Sequence, residues 1–381
     1  MHLPLFSSAS PFSKPEAFRA DNWLPSNLGD LSDHQTALPR IAKNPLLIKE
    51  IEKRLKCIPT GHHLYNADAR QLDFIADNSV HLVITSPPYW TLKKYRPHPD
   101  QLGHVSDYRR FIVELDKVWA ACHRVLVPGG RLICVVGDVC LSRRKNRGEH
   151  SVISLHATIQ EHCQEIGFAN LTPIIWYKIA NAKYEAEGNG GGFLGKPYEP
   201  NSVIKNDIEF ILMERKRGGY RSPSIPTRVL SVVPADRHKL WFKQIWSHLP
   251  GASTRNHPAP YPLELAERLI RMFSFVGDTV LDPFVGTGTT CVAAGLWGRN
   301  SVGVEIDPSY FEACQHRIAQ DLESCNARVE AHQLHIVRGC TWSNSKPNLQ
   351  GLSDIFGTFE PASKKTKGRR LAKKTRATGR R

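Results

Sequence analysis

The sequence lacks the marks of a membrane-spanning, secreted or metal-scaffolded protein. No apolar run in its 381 residues approaches the ~18 residues that a membrane span needs. The first dozen residues lack the charged start and the continuous apolar stretch of a secretory signal. The nine cysteines include no Cys-x-x-Cys pair, which argues against a disulfide scaffold or a zinc ribbon. We therefore expect a cytoplasmic protein, and its 41% hydrophobic residues suffice for a sizeable core.

Acidic residues are missing from the end of the chain. Ser363–Arg381 contains ten Lys or Arg and no Asp or Glu, and removing those ten charges lowers the net charge from +15 to +5. We expect a basic, disordered tail that binds a polyanion, because neutralising phosphates releases counterions. A solvated tail without a partner is the alternative.

Strand and helix patterns alternate through the middle of the chain, whereas residues 1–45 show no periodicity. Alternation of this kind predicts an α/β fold with a mostly parallel sheet covered by helices on both faces. The predicted strands are 63–67, 80–85, 131–137, 171–177, 208–213, 279–284 and 301–306. The predicted helices are 45–56, 108–126, 151–166, 262–273, one that runs through Ala293, and one capped by Asp307 and Pro308.

A glycine-rich turn, Asp282–Thr290, follows one buried strand and opens a helix. Its glycines at 286 and 288 would let the backbone approach a ligand closely. The turn is neither a dinucleotide fingerprint, since Cys291 replaces the last glycine, nor a P-loop, since no Lys-Ser/Thr follows. Glu305 ends the next predicted strand and can accept both hydroxyls of a ribose. The glycine-rich turn and Glu305 together predict a nucleoside cofactor. The alternative is a turn with a purely structural role.

A second loop, Thr85-Ser-Pro-Pro-Tyr-Trp90, follows the strand 80–85. Two prolines stiffen it, so that it holds its polar groups in place. The Ser86 hydroxyl and the Pro87 carbonyl can accept the hydrogens of an exocyclic amino group, while Tyr89 stacks on the ring that bears it. Such acceptors favour a pyramidal nitrogen whose lone pair can attack an electrophile. The alternative is an ordinary turn at a strand end.

Together the two motifs resemble the amino methyltransferases of bacterial and archaeal DNA, over roughly residues 60–320. The resemblance implies S-adenosyl-L-methionine as cofactor, duplex DNA as partner and no metal. It also implies a circularly permuted Rossmann-like fold of the β group, with one antiparallel strand and an inserted target-recognition region. Val285 departs slightly from the family pattern, which often has Ala or Cys before the first glycine. By this resemblance the catalytic residues are Ser86, Pro87, Pro88 and Tyr89, and the cofactor-binding residues are Asp68, Asp282, Phe284, Gly286, Gly288, Thr289, Glu305 and Pro262.

The same resemblance divides the chain. The expected parts are an N-terminal extension (1–45), a catalytic half (46–179), a target-recognition region (180–256), a cofactor half (257–340) and the basic tail (341–381). A basic stretch after a strand end is expected to contact the DNA backbone, with an ordinary solvated loop as the alternative. Its members are Arg143, Arg144, Lys145 and Arg147.

The target atom is the least determined feature. Ser86 resembles the form usual for cytosine-N4 enzymes, so N4 of cytosine is expected and N6 of adenine is the alternative. The Ser86 hydroxyl could also donate to the ring nitrogen beside the amine, but that nitrogen is an acceptor in both bases. A carbon-5 mechanism is not expected, because no cysteine follows a proline.

Two further hypotheses keep the same fold but change the activity. One is an RNA methyltransferase, and the other is a non-catalytic DNA-binding relative. The resemblance implies a methyl mark that protects host DNA in a restriction–modification system. A cognate endonuclease would belong to such a system, and no direct contact with it is implied.

Overall fold

A nine-stranded sheet forms the centre of the protein. The computed structural model describes residues 18–93, 95–141, 146, 148–178, 206–252 and 261–334. In the sheet the strands follow the order β11-β1-β10-β9-β2-β3-β7-β6-β8. Their bounds are β1 (Thr60–Asn66), β2 (Val80–Thr85), β3 (Leu126–Val136), β6 (Phe168–Tyr177), β7 (Ile208–Lys216), β8 (Ile245–Trp246), β9 (Thr279–Asp282), β10 (Asn300–Glu305) and β11 (Ala327–Gln333). A separate two-stranded sheet joins β4 (Val139–Leu141) to β5 (Ser151–Ile153).

Helices cover both faces of this sheet. Those of the described residues are α1 (His34–Ala42), α2 (Pro45–Leu55), α3 (Tyr108–Val125), α4 (Leu155–Ile166), α5 (Ile225–Leu230), α6 (Ala235–Trp241), α7 (Leu263–Phe273), α8 (Thr289–Leu296) and α9 (Pro308–Asp321). Single 3-10 turns lie at Ala20–Trp23 and Leu102–His104. None of the described helices is long and apolar enough to cross a membrane.

Strand direction confirms the expected sheet. All neighbouring strands run parallel except β7, which is antiparallel to both β3 and β6. Within β2, Val83 packs into the cluster that contains α3, whereas Leu82 and Ile84 pack into the cluster that contains α7. Alternate residues of β2 are therefore buried on opposite faces of the sheet. Because both faces are covered, the sequence of this strand is a continuous apolar run.

The position of the ligand site follows from the strand order of the sheet. From β2 the chain passes through α3 to β3, and from β9 it passes through α8 to β10, on the opposite side. Because β2 and β9 are neighbours, their carboxyl ends flank the point where the strand order switches. In open α/β sheets ligands bind in the crevice at such a point.

Several elements differ from the sequence prediction. The extension 1–45, expected either to wrap the core or to stay loose, packs on the fold from Phe18 onward, with Ala20 and Ile41 buried against α2 and α5. It also contains the helix α1, which was not predicted. Residues 151–153, predicted as the start of a helix, form β5 instead. The edge strand β11 was not predicted. By contrast, the predicted strand 208–213, which falls within the expected recognition region 180–256, is β7 of the main sheet, between β3 and β6.

Candidate active site

A cavity lies at the carboxyl ends of β1, β2, β9 and β10, where the two sequence motifs meet. The first motif contributes Ser86 and Pro88, and the glycine turn contributes Phe284, Gly286 and Thr289. The further lining residues are Ala67, Asp68, Ala69, Tyr95, Asp100, Gln101, Leu102, Tyr261, Pro283, Val285, Thr287, Val304, Glu305, Ile306 and Tyr310.

Asp282 joins the two motifs from beneath the cavity. Its side chain is 1% exposed, and it is not among the described residues that line the cavity. One carboxylate oxygen accepts from Thr85 Oγ1 at 2.8 Å, and the other accepts from Thr290 Oγ1 at 2.6 Å and from the Tyr261 hydroxyl at 3.0 Å. Burial raises the pKa of Asp282, and these hydrogen bonds act in the opposite direction. The structure therefore gives Asp282 a positioning role between β2 and the glycine turn.

Glu305 presents a carboxylate to the cavity. Its Oε2 accepts from the Gly286 amide at 3.0 Å and its Oε1 from the Asp307 amide at 2.9 Å. Burial raises its pKa to about 7, while the two amide hydrogen bonds act to lower it. The two amides fix the orientation of both oxygens, whose remaining lone pairs can accept hydroxyl groups of a ligand.

The two glycines of the turn, Gly286 and Gly288, are required for different structural reasons. Gly286 has a φ of +53°, which L side chains rarely adopt, and lines the cavity. Gly288 also has a positive φ of +87°, but a Cβ there would lie 2.8 Å from Cys314 Sγ and 3.0 Å from Ile318 Cγ1. The expected close approach at Gly288 is thus made to α9, and the residue is not among the described cavity-lining residues.

In the catalytic loop a short hydrogen-bond chain directs the Ser86 hydroxyl. Ser86 Oγ donates to the Tyr89 hydroxyl at 3.2 Å, and that hydroxyl donates to the Val135 carbonyl at 3.3 Å. The hydroxyl hydrogen of Ser86 is therefore engaged by Tyr89, and its lone pairs remain as acceptors. This arrangement differs from the suggestion that Ser86 donates to a base nitrogen.

The Tyr89 ring is packed into the core. It is 7% exposed and belongs to the cluster that contains α3. Burial, with a further contribution from the nearby Glu209, raises its pKa well above the usual range, so the phenol stays protonated. Stacking of Tyr89 on a base remains a prediction that requires a ring face to become accessible. Pro87 is buried and, like Tyr89, is not among the described cavity-lining residues.

The remaining predicted residues fall in three places. Asp68 lines the cavity, but Arg70 Nε donates to both of its carboxylate oxygens, at 3.0 and 2.9 Å. Pro262 is the N-cap of α7 and is not among the described lining residues, although its neighbour Tyr261 is. Arg143, Arg144, Lys145 and Arg147 lie outside the described residues, as does the basic tail 341–381.

Sequence reasoning missed most of the polar and aromatic wall. Tyr95, Asp100 and Gln101 lie in the irregular segment between β2 and α3, where no periodicity indicates direction. Tyr310 lies in the first turn of α9, and the guanidinium of Arg96 lies 4.8 Å from the centre of its ring. Only proximity to Glu305 along the chain could have singled out Tyr310.

The charge of the cavity wall has one sign. Among the described lining residues the charged side chains are Asp68, Asp100 and Glu305, all acidic. Arg70, which is not one of these lining residues, forms ion pairs with both Asp68 and Asp100 and offsets part of this charge. Phe284, Leu102 and Ile306 supply apolar surface beside them. Such a wall suits a flat, partly apolar ligand that carries positive charge and hydroxyl groups, and it disfavours phosphates.

The comparisons with known proteins agree with this geometry. Residues 80–316 match the family model described as DNA methylase, of the N6/N4 type. The chain is 36% identical over 290 residues to the Type II methyltransferase M.MjaI of Methanocaldococcus jannaschii, covering 68% of this chain and 92% of that protein. It is 34% identical over 292 residues to the Type II methyltransferase M.MthZI of Methanothermobacter thermautotrophicus, with 71% and 80% covered.

A solved structure gives the same result in three dimensions. The putative DNA modification methylase TTHA0409 of Thermus thermophilus, complexed with S-adenosyl-L-methionine, is 47% identical. The similarity covers 72% of this chain and 100% of that one, with a TM-score of 0.59. Family model, relatives and fold thus agree, and the chain belongs to the N6/N4 DNA methylase family.

Proposed function

We propose that this protein transfers a methyl group from S-adenosyl-L-methionine to N4 of a cytosine in duplex DNA. The observation that carries the proposal is the shared cavity. Ser86, at the end of β2, and the pair Gly286 and Glu305, at the ends of β9 and β10, line the same space. An amine acceptor and a cofactor-binding wall therefore meet at one point.

The residues present fit the cofactor. Glu305 has two oriented carboxylate oxygens for the ribose hydroxyls, and the acidic wall formed with Asp68 and Asp100 suits a ligand that bears a sulfonium and an ammonium group. Phe284 offers an aromatic face for the adenine. When bound, S-adenosyl-L-methionine supplies a methyl group on a positively charged sulfur, which makes that carbon electrophilic without a metal.

The catalytic loop acts on the amino group that receives the methyl. Because the Ser86 hydrogen is donated to Tyr89, Ser86 Oγ is left to accept one amino hydrogen, and the Pro87 carbonyl can accept the other. Both contacts draw the nitrogen lone pair out of conjugation with the ring. The nitrogen then forms its bond to the methyl carbon as the carbon–sulfur bond breaks, with the electron pair going to sulfur. The amino proton leaves to solvent.

The target base must leave the duplex to reach Ser86, because a stacked base offers no approach in line with the methyl group. Flipping costs a few kcal/mol. We propose that the basic tail and the stretch that contains Arg143, Arg144, Lys145 and Arg147 hold the DNA backbone. Since the two relatives described above are Type II methyltransferases, we also propose that the methyl mark protects host DNA in a restriction–modification system.

Cytosine is proposed over adenine because Ser86 resembles the residue usual in cytosine-N4 enzymes. The test is to methylate duplex DNA with the purified protein, digest it to nucleosides and resolve them by mass spectrometry. N4-methyl-2′-deoxycytidine is expected, and N6-methyl-2′-deoxyadenosine alone would assign the adenine alternative. The matched control is the Ser86→Ala variant, purified in the same way: its initial rate should fall about 10- to 100-fold, whereas the rate of a contaminating methyltransferase would not change. The same assay with structured RNA tests the RNA hypothesis, and calorimetric titration with the cofactor tests the non-catalytic one.

A further inference from the structure

A cluster of two histidines and one glutamate lies at the edge of the sheet, away from the catalytic loop. In the β1–β11 ladder His63 is paired with Glu330, and Tyr65 is paired with His332. Since side chains two residues apart point to the same face of a strand, all four lie on one face. β1 and β2 are separated by β10 and β9, so this cluster lies about 14 Å from β2, the strand that Ser86 follows.

The three ligand-type side chains converge. His63 Nδ1 lies 3.5 Å from His332 Nε2 and 3.5 Å from Glu330 Oε2. His332 Nε2 lies 4.0 Å from the same oxygen of Glu330. A tetrahedral zinc ion with bonds of about 2.1 Å holds its ligands about 3.4 Å apart. Two of the three separations already match this value, and the third needs a shift of about half an ångström.

From these contacts we propose that His63, Glu330 and His332 bind a divalent transition-metal ion, with zinc as the best match. Two imidazoles and one carboxylate are a donor set that zinc takes readily, leaving a fourth position for water. Among the described residues this is the group of three whose ligand atoms lie within 4.8 Å of one another.

Neighbouring side chains hold two of the three proposed ligands in place. The ring of His332 is stacked on Tyr65, 4.6 Å between centres and 18° between planes, which holds its orientation. Arg328 Nε donates to Glu330 Oε1 at 2.9 Å and leaves Oε2 for the ion.

A metal here would act on structure rather than on methyl transfer. β11 is an edge strand that pairs with β1 alone, and its polar sequence buries little apolar surface. An ion bound to side chains of both strands would fasten that edge to the sheet. The ligands remain partly exposed, with 14% for His63 and 34% for both Glu330 and His332, so an ion can enter from solvent.

The test uses the full chain, stripped of metal with a chelator and carrying Cys57→Ser, because Cys57 is an exposed thiol. Titration with zinc against a chromophoric chelator is expected to show one site, and cobalt should give the visible bands of a tetrahedral nitrogen and oxygen site. His63→Gln and His332→Gln should each weaken zinc at least tenfold. His316→Gln, an exposed histidine on α9, is the matched control and should bind like the parent.

A second measurement covers variants that fail to fold. In the parent protein, zinc should slow the acylation of His63 and His332 by diethyl pyrocarbonate, read by peptide mass spectrometry, and leave His316 unchanged. Any of three results overturns the proposal. The first is that the parent protein binds no stoichiometric zinc. The second is that the His63→Gln and His332→Gln variants bind zinc as tightly as the parent, and the third is that the cobalt spectra contain thiolate charge-transfer bands.

Discussion

Cofactor affinity should depend on pH through Glu305. Burial raises the pKa of this carboxyl to about 7 in the free protein. Ribose hydroxyls donate to the ionised form, so binding requires the carboxyl to lose its proton. At pH 6 about ten chains in eleven carry the proton, whereas at pH 8 about one in eleven does. The dissociation constant for S-adenosyl-L-methionine should therefore be about tenfold larger at pH 6 than at pH 8.

Substitution of the carboxyl isolates its contribution. In Glu305→Gln, the side-chain NH2 group replaces one of the two carboxylate oxygens and must face the backbone N–H of either Gly286 or Asp307. Both of these groups are donors, so at least one hydrogen bond is lost. Affinity at pH 8 should fall about tenfold or more, because the ribose hydroxyls lose a charged acceptor whose hydrogen bonds are worth roughly 1.5–3 kcal/mol. Because the variant has no group titrating near pH 7 at this position, its affinity should change little between pH 6 and pH 8.

The assay is isothermal titration calorimetry at both pH values. Asp100→Asn is the control, since it removes a different acid from the same cavity and leaves the two amides paired. That variant should keep the tenfold pH effect. The titration of the cofactor itself is common to all three proteins and does not alter the comparison. An unchanged affinity in the parent protein, or a tenfold pH effect that persists in Glu305→Gln, would refute the reasoning.

Three further predictions concern turnover, stability and DNA affinity. Ser86→Ala should lower kcat about 10- to 100-fold with cofactor affinity unchanged, because it removes one acceptor of the amine; a parental single-turnover rate would exclude Ser86 from the chemistry. Glu214 is fully buried, Gln160 is its polar partner at 3.5 Å, and burial raises its pKa to about 7. Because Glu214 has a higher pKa in the folded protein than in the unfolded chain, its protonation stabilises the fold fully at pH values below the pKa of the unfolded chain. This stabilisation is lost as the pH rises to 7. In urea unfolding, the free energy of unfolding of Glu214→Gln minus that of the parent should increase by up to about 3 kcal/mol between pH 5 and pH 8. A difference that does not change with pH would contradict the prediction. Removing Ser363–Arg381 should reduce the slope of log affinity against log salt by about 4 if half of its ten cationic side chains contact phosphates. The recognition sequence should stay the same, and an unchanged slope would exclude the tail from DNA binding.

Local pattern alone located the elements that carry the chemistry. The bounds 80–85 predicted for β2 are those of the structure, and Asp307 caps α9 as its side chain predicts. These predictions depend on interactions between near neighbours in sequence, namely periodic burial and capping hydrogen bonds. Weakly patterned segments escaped detection for the same reason. β11 is an edge strand whose residues are all half-exposed or exposed, so it contains no apolar run to reveal it.

The sequence by itself determined which side chains stand at the strand ends: Ser86, the glycine turn and Glu305. Only the tertiary structure decided how they meet, because the order of strands in a sheet is set by packing across distances that no local pattern encodes. The contact between Thr85 and Asp282 joins residues far apart in the chain. The same packing engages the Ser86 hydrogen with Tyr89, and turns Gly288 toward α9. Each of these depends on which element lies beside the residue, and that is a property of the folded chain.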